Sequence, residues 1–194
     1  MVLAYHLIWM AYGWWLPNDP RGSMSTYIAS DVLAELGALH HGRKKVQPLS
    51  PEIRAFYDRA ARLLKFPLLQ FGARELDAIG REFGKCIRNN GYTCYACAIL
   101  RDHVHLIIRK HKHLAETMIE NFQVASREAV VAVGERKFDH PVWGGHGWKV
   151  YLDSTDDIWR TIPYVEENPL KLKMPKQIWE FVTPYDNWPF HKRH

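Results

Sequence analysis

An α+β fold built on an antiparallel sheet is what this chain predicts, and three observations carry that reading. A near-continuous apolar run opens the sequence, and two further strand-length runs meet at a tight turn in its middle. Stretches with apolar residues at helical spacing alternate with those runs. The length of 194 residues suits one compact unit with room for a sizeable insertion. Residues 1–194 therefore read as a single domain, with an insertion at about 17–70 and an irregular tail at about 170–194.

The elements follow in order. Residues 3–11 are apolar almost throughout, as a strand buried on both faces requires. Residues 17–50 read as irregular, broken by Pro17, Pro20, Gly22, Gly42 and Pro48. A helix is expected from about Pro51 to Leu64, with proline in its first turn. A second runs from about Ala73 to Arg88 and ends at Asn89-Asn90-Gly91. Strands Tyr92–Leu100 and His103–Arg109 flank a turn at Arg101-Asp102. Leu114, Met118, Phe122, Ala125, Ala129 and Val133 then fall on one helical stripe. A last strand spans Trp148–Leu152. Ser154 caps a closing helix that reaches about Asn168, where Pro169 is expected to stop it. Strand, inserted helices, two strands, helix, strand, helix is the ferredoxin-like split βαβ order plus one extra C-terminal helix.

Composition narrows the function. Lys and Arg exceed Asp and Glu by 26 − 21 = +5, and aromatics make up 13%. Spare positive charge with spare rings suits a partner that carries phosphates and flat bases. The apolar opening, Val2 to Leu16, is shorter than the roughly 20 residues of a membrane span. It contains His6, lacks a basic leader and runs into Pro17-Asn18-Asp19-Pro20, so no membrane association and a cytoplasmic location are expected. Cys86, Cys94 and Cys97 cannot build a disulfide framework. On a regular strand Cys94 and Cys97 point to opposite faces, which excludes a shared metal and leaves core thiols.

The sharpest chemical feature is His103-Val104-His105. Residues two apart on a strand share a face, about 6.6–6.8 Å apart along the chain. The two imidazoles thus stand together, able to grip one metal ion, while Val104, Leu106 and Ile108 face the helices. An ordinary pair of hydrogen-bonded histidines fits the same spacing. On the closing helix Ile158, Ile162 and Val165 form the core stripe. Tyr164 and Asn168 sit one turn apart on its flank, about 120° and about 80° from Ile158. Together they can present a phenol and an oxygen ligand to one point. A tyrosine packed at a helix edge is the plainer alternative.

With these residues on the page, the chain resembles the single-tyrosine transposases of the HUH endonuclease superfamily, most closely the REP-associated tyrosine transposase branch. The matching stretches are Tyr5-His6 through Leu16-Pro17-Asn18-Asp19-Pro20-Arg21-Gly22, Asp102-His103-Val104-His105-Leu106, and Ile162 to Pro169. The resemblance implies that His103 and His105 bind a metal, that Tyr164 is the nucleophile, and that Asn168 is the third ligand. It implies Mg²⁺ or Mn²⁺, and DNA transposition and recombination through cleavage of hairpin-forming single-stranded DNA. The substrate would be REP-like or element-end hairpins, joined to the protein as a 5′-phosphotyrosine with release of a 3′-hydroxyl. Such a protein is nucleoid-associated when bound to DNA. Some relatives are dimers that share the tyrosine helix, so monomer and homodimer both stay open. Pro163 departs from the family pattern, and predicts either a kink or a fresh helical turn there.

Candidate phosphate contacts are Arg43, Lys44 and Lys45 in the insertion, Arg109, Lys110 and Lys112 after the histidine strand, and Lys149. Trp143 and Trp148 flank Gly144-Gly145-His146-Gly147 and are candidates for stacking on unpaired bases. Four rivals are weighed against the transposase reading. Relaxases usually place the tyrosine before the histidines, and replication initiators commonly carry Lys three residues past it, where this chain has Glu167. A non-catalytic module that binds single-stranded or hairpin nucleic acid would keep the fold without forming an adduct. A zinc hydrolase using His103, His105 and another histidine such as His6 would need no tyrosine.

Overall fold

The computed structural model describes residues 1–42, 44–134 and 136–189. It is an α+β sandwich on a four-stranded antiparallel sheet. Strand β1 (Ala4–Met10) precedes α1 (Asp31–Ala34), α2 (Ser50–Leu63) and α3 (Ala73–Asn90). Strands β2 (Cys94–Ile99) and β3 (His103–Arg109), helix α4 (Ala115–Val133), strand β4 (Trp148–Leu152) and helix α5 (Thr155–Lys171) complete it. The sheet order is β2-β3-β1-β4 with every neighbour antiparallel, the arrangement the split βαβ order calls for.

Period-two alternation sorts the sheet into two faces. Tyr5, Leu7 and Trp9 of β1 and Val104, Leu106 and Ile108 of β3 pack with α3 and α4 in the larger core. Trp9 lies 5.6 Å from Phe83 and 5.9 Å from Phe122, ring centre to ring centre, pinning the sheet to both helices. Each such pair contributes about 0.5–1.5 kcal/mol beyond its buried area. The opposite face is covered by α5, whose Ile158 and Val165 are fully buried with Ala4, Ala98 and Ile107. Placing helices on both faces is what makes the sheet's central strands apolar in both registers.

Four sequence expectations are corrected. Residues 17–50 are not wholly irregular, since Asp31–Ala34 forms one helical turn. A β-bulge between Cys94 and Ala96 breaks the alternation of β2, so Cys94 and Cys97 both enter the larger core rather than opposite faces. They remain buried free thiols, and burial pushes both thiol pKa values well up. Pro163 starts no fresh turn, and Pro169 does not stop α5, which runs unbroken to Lys171. Each proline removes one backbone donor, but Ile158, Val165 and Pro169 are buried and hold the helix to the sheet. The tail has no helix or strand over residues 174–189, but it is anchored to the sheet and to α3. Its Gln177 donates to the Ile99 carbonyl at 2.7 Å and accepts the Ile99 N–H at 2.9 Å, along the outer edge of β2. Trp179 is seated on α3 at Gly80, where an added Cβ would come within 2.1 Å of its ring.

The insertion has a small core of its own around Leu16, Leu36, Phe56, Tyr57 and Ala60. Asp19 is fully buried there. Its carboxylate accepts from Arg21 Nε at 2.9 Å and Nη2 at 2.7 Å, and from the Tyr57 hydroxyl. Arg21 in turn lies 3.9 Å over the ring of Trp15. This network ties α2 to the Asn18-Asp19-Pro20-Arg21-Gly22 loop, a paired arrangement of the kind a buried charge requires. Among the described residues no helix is long and apolar enough to cross a membrane.

Candidate active site

The α5-covered face of the sheet carries the histidines. In β3, His103 and His105 alternate with core residues, so both project toward α5, as their spacing predicts. The register Ile8↔His105 and His6↔Ile107 brings β1 alongside. His6 therefore emerges on the same face, a polar residue in an otherwise apolar strand.

Each histidine of the pair has its Nδ1 engaged. His103 Nδ1 lies 2.6 Å from Asp102 Oδ1, and His105 Nδ1 lies 2.9 Å from His6 Nε2. When His105 donates its Nδ1 proton to His6 Nε2, the lone pair on the Nε2 atom of His105 is left for another ligand. The carboxylate of Asp102 fixes His103 in the same sense. Burial drives the pKa of His6 down to about 4. Burial, helped by the charges of His103 and His6, holds His105 well below the usual imidazole range. Both rings are thus neutral, the form that ligates metals. Burial opposes the charge on Asp102, but its bond to His103, the charge of His103 and the field of Arg21 outweigh that and keep its carboxyl below the ordinary value.

Helix α5 brings Tyr164 over this cluster. Its ring centre is 5.9 Å from that of His105 and 6.0 Å from that of His6, edge-on to both. Tyr164 is 46% exposed, so a phenol packed against the imidazoles is still open to a large substrate. Lys171 Nζ lies 5.1 Å from the Tyr164 ring centre and is held by Glu167 at 3.3 Å. Asn168, one turn beyond Tyr164, donates its amide to the Tyr164 carbonyl at 3.0 Å, which leaves Oδ1 as its unengaged polar atom.

Among the described residues no group of three His, Cys, Asp or Glu is placed to hold a metal ion. His6 does not complete such a triad, because its Nε2 faces His105 rather than a shared point. The donor types that the sequence reading offers for such an ion are two imidazole nitrogens, which share one face here, and the amide oxygen of Asn168 on α5. That mixture fits a divalent ion that accepts both nitrogen and oxygen ligands and keeps open positions.

The other candidates are dispersed. Lys149 projects to the opposite side of the sheet, paired with Glu116 of α4, because its partner in the register is the core residue Leu7. Trp143 packs against the larger core, its indole N–H bonded to the Gln123 carbonyl at 3.1 Å. Trp148 is 40% exposed and shares the histidine face, since Ile8 pairs with it on one side and with His105 on the other. Arg109 lies 4.2 Å over the Trp188 ring, at the far end of β3 from His103. Lys110 and Lys112 follow it and are exposed. Lys44 and Lys45 are exposed on the insertion, and Arg43 lies outside the described residues.

No family model and no curated protein matches the chain. Solved structures do. The chain is similar to a REP-associated tyrosine transposase bound to a REP hairpin, at 18% identity and a TM-score of 0.44, over 61% of this chain and 70% of that one. It is also similar to a protein from Deinococcus radiodurans R1 with a provisional transposase designation, at 14% identity and a TM-score of 0.38. That alignment covers 86% of this chain and 91% of the other.

Three neighbours of these side chains were given no role in the transposase reading of the sequence. His6 was visible as the polar residue of a buried strand, and Asp102 as the residue before the pair. Lys171 gave no signal, since its approach to Tyr164 needs α5 to continue through Pro169.

Proposed function

We propose that the chain is a single-tyrosine DNA transposase that nicks and rejoins hairpin-forming single-stranded DNA with a divalent metal, Mg²⁺ or Mn²⁺. The observation that carries this reading is the exposed phenol of Tyr164 packed edge-on against the buried His105, whose Nδ1, like that of His103 beside it, is engaged by a neighbouring side chain. In the reaction, Tyr164 Oη attacks the scissile phosphorus. The bond from phosphorus to the 3′-oxygen breaks, and the 5′-phosphate stays on the tyrosine. The phenol gives up its proton and the departing 3′-oxygen gains one, so charge and atoms balance. The phosphotyrosine keeps the bond energy for rejoining, and no nucleotide cofactor is needed.

His103, His105 and Asn168 would hold the metal, which when bound polarises the scissile phosphate. Asp102 and His6 orient the two imidazoles, and Lys171 places a positive charge over the ring of the attacking phenol. Tyr164 sits on a helix packed to the sheet rather than on a loop, which fixes its approach.

The test is incubation of a labelled single-stranded hairpin library with the chain and Mn²⁺, followed by a denaturing gel. A protein–DNA adduct is expected for the wild type and not for Tyr164→Phe. An adduct that persists in the variant overturns the assignment of the nucleophile. Hairpin binding without any adduct in the wild type replaces the reading with the non-catalytic module.

A further inference from the structure

Two chain segments lead out of the site, and both line one cavity. Arg101 lies two residues before His103, and Lys173 lies five residues after Asn168. With Lys176, Met174 and Trp179 they help line a cavity of about 720 Å³, in which Asp77 is the one acidic lining residue. Among the described residues neither Arg101, Lys173 nor Lys176 has an ion-pair partner. The nearby start of α3 is not itself an anion site, because Glu75 already accepts the Gly72 N–H at 2.7 Å.

Lys173 holds an unusual position. The end of α5 is a Schellman turn, with Met174 N–H bonded to the Pro169 carbonyl at 2.9 Å and Lys173 N–H to the Leu170 carbonyl at 3.0 Å. The residue between must be left-handed, and Lys173 is, with φ of 56°. Glycine is the low-strain residue there. Here a lysine takes that position and lines the cavity.

We propose that this cavity seats the single-stranded flank of the DNA being cut, with Arg101, Lys173 and Lys176 on its backbone phosphates. The inference rests on the DNA-cleaving reading above and adds the path of the strand beyond Tyr164. The partly apolar wall of Met174 and Trp179 suits bases, and the cations suit a phosphodiester without requiring a particular sequence.

The test uses the full chain in EDTA, so that binding is read without cleavage. The probes are a hairpin alone and the same hairpin with a short oligothymidine extension on either end. Anisotropy is followed between about 50 and 200 mM salt. One extension is expected to tighten binding to the wild type. Lys173→Gly, Arg101→Ala and Lys176→Ala should each flatten the salt slope of the extended probe by about 0.7, equivalent to about fivefold weaker binding at 0.1 M salt. Binding of the bare hairpin should be unchanged. Lys173→Gly should also melt at or above the wild-type temperature, which separates lost contact from lost fold. If no extension tightens binding, or all variants gain equally from it, the inference falls while the Tyr164 adduct assay still stands. If neither probe binds at all, both readings fall. An oligoglutamate peptide that binds with the same dependence on the three cations would replace DNA by an acidic peptide.

Discussion

His6 makes the stability of the fold depend on pH in a calculable window. Its imidazole is 6% exposed, and burial lowers its pKa from 6.5 to about 4. As pH falls, the unfolded chain therefore takes up this proton before the folded chain does. The stabilisation from a neutral His6 is complete above about 6.5 and is lost on the way down to about 4. Between about pH 7.5 and about pH 4.5 the loss is about 2–3 kcal/mol from this residue alone. His105 is depressed as well and adds to it with the same sign. Asp102 titrates below that window, because its carboxyl is lowered rather than raised. For a chain of this size the loss corresponds to roughly 5–10 °C in melting temperature. The perturbation to make is His6→Gln, which keeps a donor and an acceptor for His105 Nδ1 but cannot titrate. Circular-dichroism melts of both proteins at the two pH values give a double difference free of other acid effects. The wild type should lose about 5–10 °C more than the variant. Parallel losses would refute the argument that burial of His6 governs this window.

Two further outcomes follow from the site. Asp102→Asn removes the carboxylate that fixes His103, and Mn²⁺ affinity measured by calorimetry should fall about 10–100-fold, with the far-ultraviolet spectrum unchanged; undiminished affinity would separate Asp102 from the metal. Trp148→Ala should weaken binding of oligothymidine by about 1–3 kcal/mol, because the exposed indole stands in the same cross-sheet row as His105; anisotropy that shows no change removes Trp148 from the DNA face.

The fold was legible wherever one period dominated. Strands His103–Arg109 and Trp148–Leu152 match the sequence limits, because alternation and flanking turns agree there. The bulge in β2 was invisible, since one extra residue in a strand apolar on both faces changes no pattern. The length of α5 was misjudged for a different reason. Proline penalises a helix locally, whereas Val165 and Pro169 are held by tertiary burial that no local signal reports. In the site, spacing alone put the histidine pair on one face of β3 and Tyr164 on the flank of α5, while their joining into one site rested on the family resemblance. The partner of His105 could not, because it comes from a strand 99 residues away in sequence and depends on register. The charged candidates were the least legible. Lys149 and Trp148 are neighbours in sequence, yet strand alternation sends one to the helices and the other to the histidine face.

Gln177 has a bearing on how the chain can be shortened. With one side-chain amide it answers both the N–H and the C=O of Ile99, as a neighbouring strand would. Thr183 N–H does the same for the Cys94 carbonyl at 2.8 Å. The tail therefore works as a dummy strand that closes the β2 margin of the sheet. Lys171, where the last helix ends, looks like a natural place to stop. Cutting there would bare a row of backbone groups on an apolar strand, a template for pairing with any extended segment. A shortened protein would keep every residue of the proposed chemistry through Lys171 and lose its protection against self-association.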